Sequence, residues 1–360
     1  MQKKIPVILF FGYRFDSPTV GGLIWTRKIA DFVSQNKNFI VRKIRNDITI
    51  DKSDVIFPLR YLKYALKAFF TNPDIAILSD YGEANLILWI LLRIFKPKSK
   101  ILVVCHHYEK KTCNYQNHFI VRFFESIYNY YIDESFKKMM INADKILTVS
   151  FSSANQIKSV LKSSNVEIEV TGVGLDLYQI YNLKKDIDFI CIGRFQKFKG
   201  LEKIWQLIKQ KNPRVNFVVC GHSHKSDISR LYNVGIEHKG IVTEKEKIEL
   251  LSRAKVLLFP SMVEGFGLVV AEALHAGLQV IAWKLPVFEE IYNGKMVSNQ
   301  FKLVEPWNYE LFADEAITML KRFSTHYISK DKFKEPLKGI DSWNTVGERL
   351  ICILMEVLNR

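Results

Sequence analysis

The stretch that most constrains this chain is residues 255–283, KVLLFPSMVEGFGLVVAEALHAGLQVIAW. Lys255 to Phe259 is a short apolar run closed by Pro260, which reads as a buried strand. Ser261 to Gly267 reads as a loop. Leu268 to Ala276 is apolar or small almost throughout and predicts a buried helix. Gly277 ends it, as a left-handed residue just past a helix C-terminus would. Gln279 to Trp283 predicts a second strand. The whole is a βαβ unit whose strand-to-helix loop carries Glu264, Gly265, Phe266 and Gly267. Such loops sit at the carboxyl edge of a parallel sheet, where open α/β folds bind ligands. Glycine there lets a ligand approach the backbone. The free N–H groups of the first helical turn, at Leu268 and Val269, favour an anion.

Two carboxylates frame the loop. Glu264 precedes the glycines, and Glu272 lies inside the helix. From Gly267 to Glu272 the helix rises roughly 7 Å at ~1.5 Å per residue, about the distance from a phosphate to a neighbouring sugar ring. A carboxylate amid Val270, Ala271, Ala273 and Leu274 needs a partner, because burying it alone is costly. Sugar hydroxyls would serve, and a Lys or Arg from elsewhere in the chain is the structural alternative.

The run P-S-x-x-E-G-F-G-L-x-x-x-E-A-x-x-x-G from Pro260 to Gly277 resembles the E-x7-E signature of GT4-type retaining glycosyltransferases. The resemblance implies the GT-B fold, an α/β architecture of two Rossmann-like domains facing across a cleft. It implies a nucleotide-sugar donor, UDP- or GDP-linked, in the C-terminal domain. Glu264 would face the donor sugar and Glu272 the ribose hydroxyls.

The rest of the chain is consistent with that expectation. Ile5 to Phe11 reads as the first strand rather than a leader, because Arg14 and Asp16 follow and no small-residue cleavage site appears. Gly21 and Gly22 then match the family's glycine-rich loop near the donor phosphate, though an ordinary βα turn also wants glycine. Strands are expected at Phe39 to Lys43, Ile75 to Ser79 and Ile101 to Cys105, with helices between. His106 and His107 end the third of these. The resemblance implies a histidine here near the acceptor, with His107 fitting best and His106 the alternative. Tyr108 stands where many members have aspartate. Gly174, Leu175 and Asp176 match the G-V-D that closes the first domain in the family. The expected boundaries are 1–176 for the acceptor-side domain, 177–187 for a linker, 188–341 for the donor domain and 342–360 for a helix crossing back to the first.

In the second domain, Asp188 to Ile192 predicts a strand followed by Gly193, Arg194, Lys199 and Gly200. This resembles the family's G-R-x-x-x-x-K-G run. Two fixed cations at a strand end would neutralise a diphosphate and its developing charge, and solvated loop charges are the alternative. Gly221 ends another expected strand. Val242 lies in a loop that resembles the one bordering the nucleobase. Asp186-Ile187-Asp188 spells D-x-D, the metal motif of the other large glycosyltransferase fold. It precedes its strand and reads as a linker charge pair, so no metal and no cofactor is expected.

Charge bears on partners. The formal net charge is +15, and basic chains meet nucleic acid, acidic membranes or phosphorylated ligands. No stacking motifs on a sheet point to nucleic acid. Leu59 to Phe70 places Arg60, Lys63 and Lys67 within an apolar helical pattern, which suits a peripheral contact with anionic lipid. Leu86 to Leu92 is apolar but reads as a core helix, too short to span a bilayer. The five cysteines are odd in number and scattered, which suggests a reducing, cytoplasmic setting. The expected activity is retaining transfer of a hexose-type sugar to a lipid-linked or surface-glycan acceptor. The alternatives are a GT-B-like protein that binds without catalysis and a sugar-nucleotide epimerase of the same fold.

Overall fold

The computed structural model describes residues 4–12, 21–45, 57–79, 82–108, 119–162, 164–176, 178–193, 200–223, 225–292, 300–325 and 340–360. The chain divides into two compact units, Met1–Gly174 with Ser342–Arg360, and Leu175–Asp341.

In the first unit, six strands form one sheet in the order β2-β1-β3-β4-β5-β6. They are β1 (Val7–Gly12), β2 (Ile40–Arg45), β3 (Ile75–Ser79), β4 (Lys100–Val104), β5 (Lys145–Thr148) and β6 (Ile168–Val170). Every pairing is parallel. A parallel sheet is covered on both faces, so its strands are continuous apolar runs rather than alternating ones. Ile8, Leu9, Phe10 and Phe11 are all fully buried, as are Ile75 to Leu78. The helices between are α1 (Gly21–Ser34), α2 (Phe57–Phe69), α3 (Glu83–Phe95), α4 (Phe119–Ile141) and α5 (Phe151–Leu161). Strand order reverses between β1 and β3, so the ligand-binding crevice of this sheet is expected beyond their carboxyl ends.

The second unit repeats the plan, with sheet order β12-β11-β10-β7-β8-β9 and parallel pairing throughout. Its strands are β7 (Ile187–Ile192), β8 (Phe217–Cys220), β9 (Glu237–His238), β10 (Ala254–Phe259), β11 (Gln279–Trp283) and β12 (Phe301–Val304). Its helices are α6 (Leu201–Lys211), α7 (Lys225–Asn233), α8 (Glu244–Arg253), α9 (Leu268–His275), α10 (Pro286–Tyr292) and α11 (Tyr309–Thr325). Here the order reverses between β7 and β10. The loops after these two strands therefore flank the switch point, and they are the loops that carry Gly193 and Glu264.

The last helix, α12 (Trp343–Asn359), belongs to the first unit. Ser342 caps it by accepting from the Thr345 N–H at 3.1 Å, and Val346, Leu350, Leu354 and Val357 form its buried stripe. Gly347 permits a close crossing with α1, where a Cβ would lie 2.2 Å from Phe32 Cδ1. Buried Lys145 ties the sheet to this helix through Glu167, Glu169 and Glu356. No helix among the described residues is long and apolar enough to cross a membrane. Leu86, Leu88 and Leu92 of α3 are buried, so one face of that run is core as its sequence implied, while Ile90 on the other face is exposed. Cys105, Cys191, Cys220 and Cys352 are free thiols, and Cys113 lies outside the described residues.

Candidate active site

β10, α9 and β11 form where the apolar runs placed them. Gly267 caps α9 with φ 83°, a left-handed backbone. A Cβ there would also lie 2.6 Å from Phe288 Cε1, so both conformation and space call for glycine. At the other end, Gly277 has φ 77°. The Leu278 N–H reaches back to the Ala273 carbonyl at 3.0 Å, a Schellman closure. With both ends fixed, α9 presents its first-turn N–H groups at the carboxyl edge of β10.

Glu264 is half-buried in the loop, and its carboxylate makes no hydrogen bond or ion pair among the described residues. Gly265 and Phe266 are buried beside it, and Leu268 and Val269 are half-buried. Glu272 is only 3% exposed. Its Oε1 accepts from Lys247 Nζ at 2.7 Å and from the Tyr178 hydroxyl at 2.9 Å. Its Oε2 is buried and has no partner among the described residues. The Lys partner held open by the sequence is thus present, but it satisfies one oxygen of two. Burial pushes the Glu272 carboxyl above the usual range, and Lys247 with Tyr178 offsets part of that. Burial pulls Lys247 down, yet Glu272 and Glu244 outweigh it and hold the ammonium above its ordinary value. Tyr292 stands behind the loop, wholly buried, with its hydroxyl 3.3 Å from the Gly267 carbonyl. Burial and the nearby Glu264 and Glu272 charges push its ionisation up.

Lys247 and Tyr178 were not found from the sequence. A signal for Lys247 exists. Thr243 and Glu246 form a capping box, which makes Lys247 the fourth residue of α8 and puts it on the same face as Leu250 and Leu251. A lysine on an apolar face asks for a buried anion. Tyr178 carries no such signal.

The loops around Gly221 and Val242 are joined by a short network. Gly221 donates its N–H to the Gly240 carbonyl at 2.7 Å, and Gly193 donates to the Cys220 carbonyl at 3.0 Å. His238 lies between these loops, with Nδ1 accepting from the Gly240 N–H at 3.1 Å. Its proton is therefore on Nε2, which donates to Ser223 Oγ at 2.8 Å. Burial lowers the His238 pKa and keeps the ring neutral. Val242 is half-buried just ahead of the α8 cap. Arg194 and Lys199 lie outside the described residues.

Asp186 and Asp188 lie at the amino end of β7, the edge opposite these loops. Asp186 accepts from Arg253 Nε and Nη2 at 2.9 and 2.8 Å, and Asp188 accepts from Lys255 at 2.7 Å. Among the described residues no cluster of three His, Cys, Asp or Glu side chains could hold a metal.

In the first unit, two expectations need correction. Gly21 and Gly22 are not loop residues but the first turn of α1, because the helix begins two residues earlier than the apolar pattern indicated. Tyr108 is a core residue rather than an acceptor-side one. Its hydroxyl donates to the buried Asp133 at 2.5 Å, and its backbone N–H and carbonyl both bond the Gln156 side chain. His106 is buried edge-on to Trp25, with ring centroids 5.5 Å apart. His107 is half-buried and the more accessible of the two.

Residues 178–330 match the model of the family described as glycosyl transferases group 1. The chain is 26% identical over 205 residues to the phosphatidylinositol N-acetylglucosaminyltransferase gpi3 subunit of Schizosaccharomyces pombe, covering 54% of this chain and 44% of that one. It is 26% identical over 220 residues to the O-antigen chain mannosyltransferase RfbU of Salmonella typhimurium, covering 57% and 61%. The aligned part thus spans about half the length of these relatives. Among solved structures, the sucrose-phosphate synthase of Thermosynechococcus elongatus superposes with a TM-score of 0.75 at 16% identity, covering 98% of this chain and 99% of that one. That likeness shows the fold. Residues 178–330 thus match the group 1 glycosyltransferase family, and the chain over its whole length has the fold of the GT-B glycosyltransferases.

Proposed function

We propose that the chain is a retaining, GT4-type glycosyltransferase that moves a sugar from a nucleoside diphosphate, UDP or GDP, to a lipid-linked or surface-glycan acceptor. The observation that carries this reading is the pair of carboxylates at α9. Glu272 is buried with one oxygen committed and one without a partner, and Glu264 stands uncommitted beside the glycine loop. A carboxylate with a spare buried oxygen suits a sugar hydroxyl donor. The first turn of α9 suits the phosphates, and Arg194 and Lys199 would add fixed positive charge. Glu264 would orient the transferred sugar, and the leaving diphosphate would help take the acceptor proton. His107 is the acceptor-side candidate in the first unit.

The reaction would need no metal, since Asp186 and Asp188 are both engaged by cations at the wrong edge of the sheet. A cytoplasmic protein with a peripheral membrane contact fits the exposed apolar surface of the first unit. α2 exposes Leu62 beside Lys63 and Lys67, and Phe70 just past its end is exposed as well. α3 exposes Ile90, Ile94 and Phe95, and α4 exposes Phe123, Ile127, Tyr130 and Tyr131. On α4 these residues recur at helical spacing on one face. The gpi3 relative, whose name specifies a phosphatidylinositol acceptor, favours a lipid acceptor here.

The deciding experiment offers radiolabelled UDP- and GDP-sugars with and without a membrane-lipid extract. Transfer of label to extract lipid or glycan is the expected result. Isomerisation of the sugar nucleotide without acceptor would mean an epimerase, and binding with no turnover would mean a non-catalytic relative.

A further inference from the structure

Glu272 is held by two donors that come from outside its own helix. Lys247 is the fourth residue of α8, and Tyr178 lies in the segment ahead of β7. Lys247 is 7% exposed and is shared with Glu244 at 2.9 Å. Its ammonium also lies 5.6 Å from the centroid of the Tyr178 ring. The Tyr178 segment is anchored to α9 a second time, through His275 Nε2 and the Tyr178 carbonyl at 3.1 Å. A carboxylate is planar, so two donors on Oε1 from separate elements fix where Oε2 points. Oε2 is the oxygen that the described residues leave without a partner.

We propose that Lys247 and Tyr178 are positioning residues of the nucleotide site, holding the Glu272 carboxylate by Oε1 so that Oε2 is presented to the sugar hydroxyls of a nucleoside diphosphate. The proposal rests on the reading that Glu272 faces the ribose. The charged and titratable groups around Glu272 are Lys247 and Glu244 of α8, Tyr178, Tyr292 of α10, Glu264 of the loop and His275 of α9 itself. Among these only Lys247 is a cation on Glu272. Without it the burial that raises the Glu272 carboxyl is opposed by the Tyr178 hydroxyl alone, so protonation competes further up the pH scale.

The test is calorimetric titration of UDP and GDP into the wild type, Lys247→Met, Tyr178→Phe, Glu272→Gln and the Lys247→Met/Glu272→Gln double variant, between pH 6 and 9. Lys247→Met is expected to weaken binding roughly tenfold at pH 7, the scale of a lost charge-assisted contact, and to recover as pH rises. Tyr178→Phe is expected to lose a few-fold. The double variant is expected to bind no worse than Glu272→Gln, with no pH dependence beyond that of the nucleotide in the wild type. A Lys247→Met that binds like wild type, or that loses affinity equally at every pH, overturns the proposal, as does an additive double variant. If Lys247→Met alone fails to fold, the double variant removes both buried charges together and tolerates their loss better. Tyr178→Phe then carries the test, its loss expected to vanish in the Glu272→Gln background and a persisting loss contradicting the proposal. A Glu272→Gln that binds like wild type, or a wild type that binds neither UDP nor GDP, overturns the ribose reading itself.

Discussion

A Cβ placed on Gly221 would lie 2.0 Å from the carbonyl oxygen of Gly193. These glycines directly follow the neighbouring strands β8 and β7, with φ of 132° and 138°. The two backbones touch because Gly221 has no side chain. The contact sets Gly193, just past β7, against the turn that leads from β8 to Ser223.

Gly221→Ala should therefore disturb both loops at once. Positive φ costs an alanine about 1–2 kcal/mol, and overpacking adds about 1–3 kcal/mol. The expected result is a fall in Tm of several degrees together with loss of nucleoside diphosphate binding. Retained affinity in a folded Gly221→Ala variant would separate these loops from the donor site.

His238 makes the second unit sensitive to acid. The folded ring is neutral, with a pKa lowered by burial and Nδ1 occupied as an acceptor. A group whose folded pKa is lowered binds more protons when unfolded, so stability rises with pH. The contribution is whole above the ordinary histidine value of about 6.5 and is lost as pH falls through the lowered folded value. Thermal melts from pH 7.5 to 5 should show a slope that His238→Gln reduces. An unchanged slope would mean that other groups set it.

Transfer should survive chelation. Asp186 is kept below the usual carboxylate range by its hydrogen bonds to Arg253, and Asp188 is engaged by Lys255 and the Asn216 N–H. An Asp186→Asn/Asp188→Asn variant should keep its turnover and lose about 1 kcal/mol of stability or less, since these pairs are partly exposed. Activity abolished by chelator and restored by Mn²⁺ would return the pair to consideration.

The βαβ unit at 254–283 was legible almost to the residue, because its strands are unbroken apolar runs and its helix is bounded by glycines with positive φ. Its chemistry was only half legible. Glu272 announced that it needed a partner, but Lys247 is 25 residues away and Tyr178 94, and such pairing is set by tertiary packing. Tyr108 was placed on the acceptor side by the family register alone, and the Asp133 on α4 that draws its hydroxyl into the core is again a partner set by tertiary packing. The two-residue β9 was missed because it is too short for any periodicity, although it carries the His238 that joins the loops.

Sedimentation with vesicles tests the membrane reading. Binding to vesicles with anionic lipid, released by high salt, is expected for the wild type. Phe123→Glu/Ile127→Glu and Lys63→Glu/Lys67→Glu should each reduce it, with nucleotide affinity intact. Each lysine near the surface is worth about 1 kcal/mol. Equal binding to neutral vesicles, or none to either, would indicate an acceptor in solution.

The most direct test of the donor site compares Glu264→Gln with Glu272→Gln, measuring nucleoside diphosphate affinity and sugar-transfer turnover for each. Glu272→Gln is expected to weaken the nucleotide, by about 1.5–3 kcal/mol for a hydrogen bond to a charged group. Glu264→Gln is expected to bind it normally and turn over slowly. The reverse order, or equal effects on both quantities, would contradict the placement of the ribose at Glu272 and the transferred sugar at Glu264.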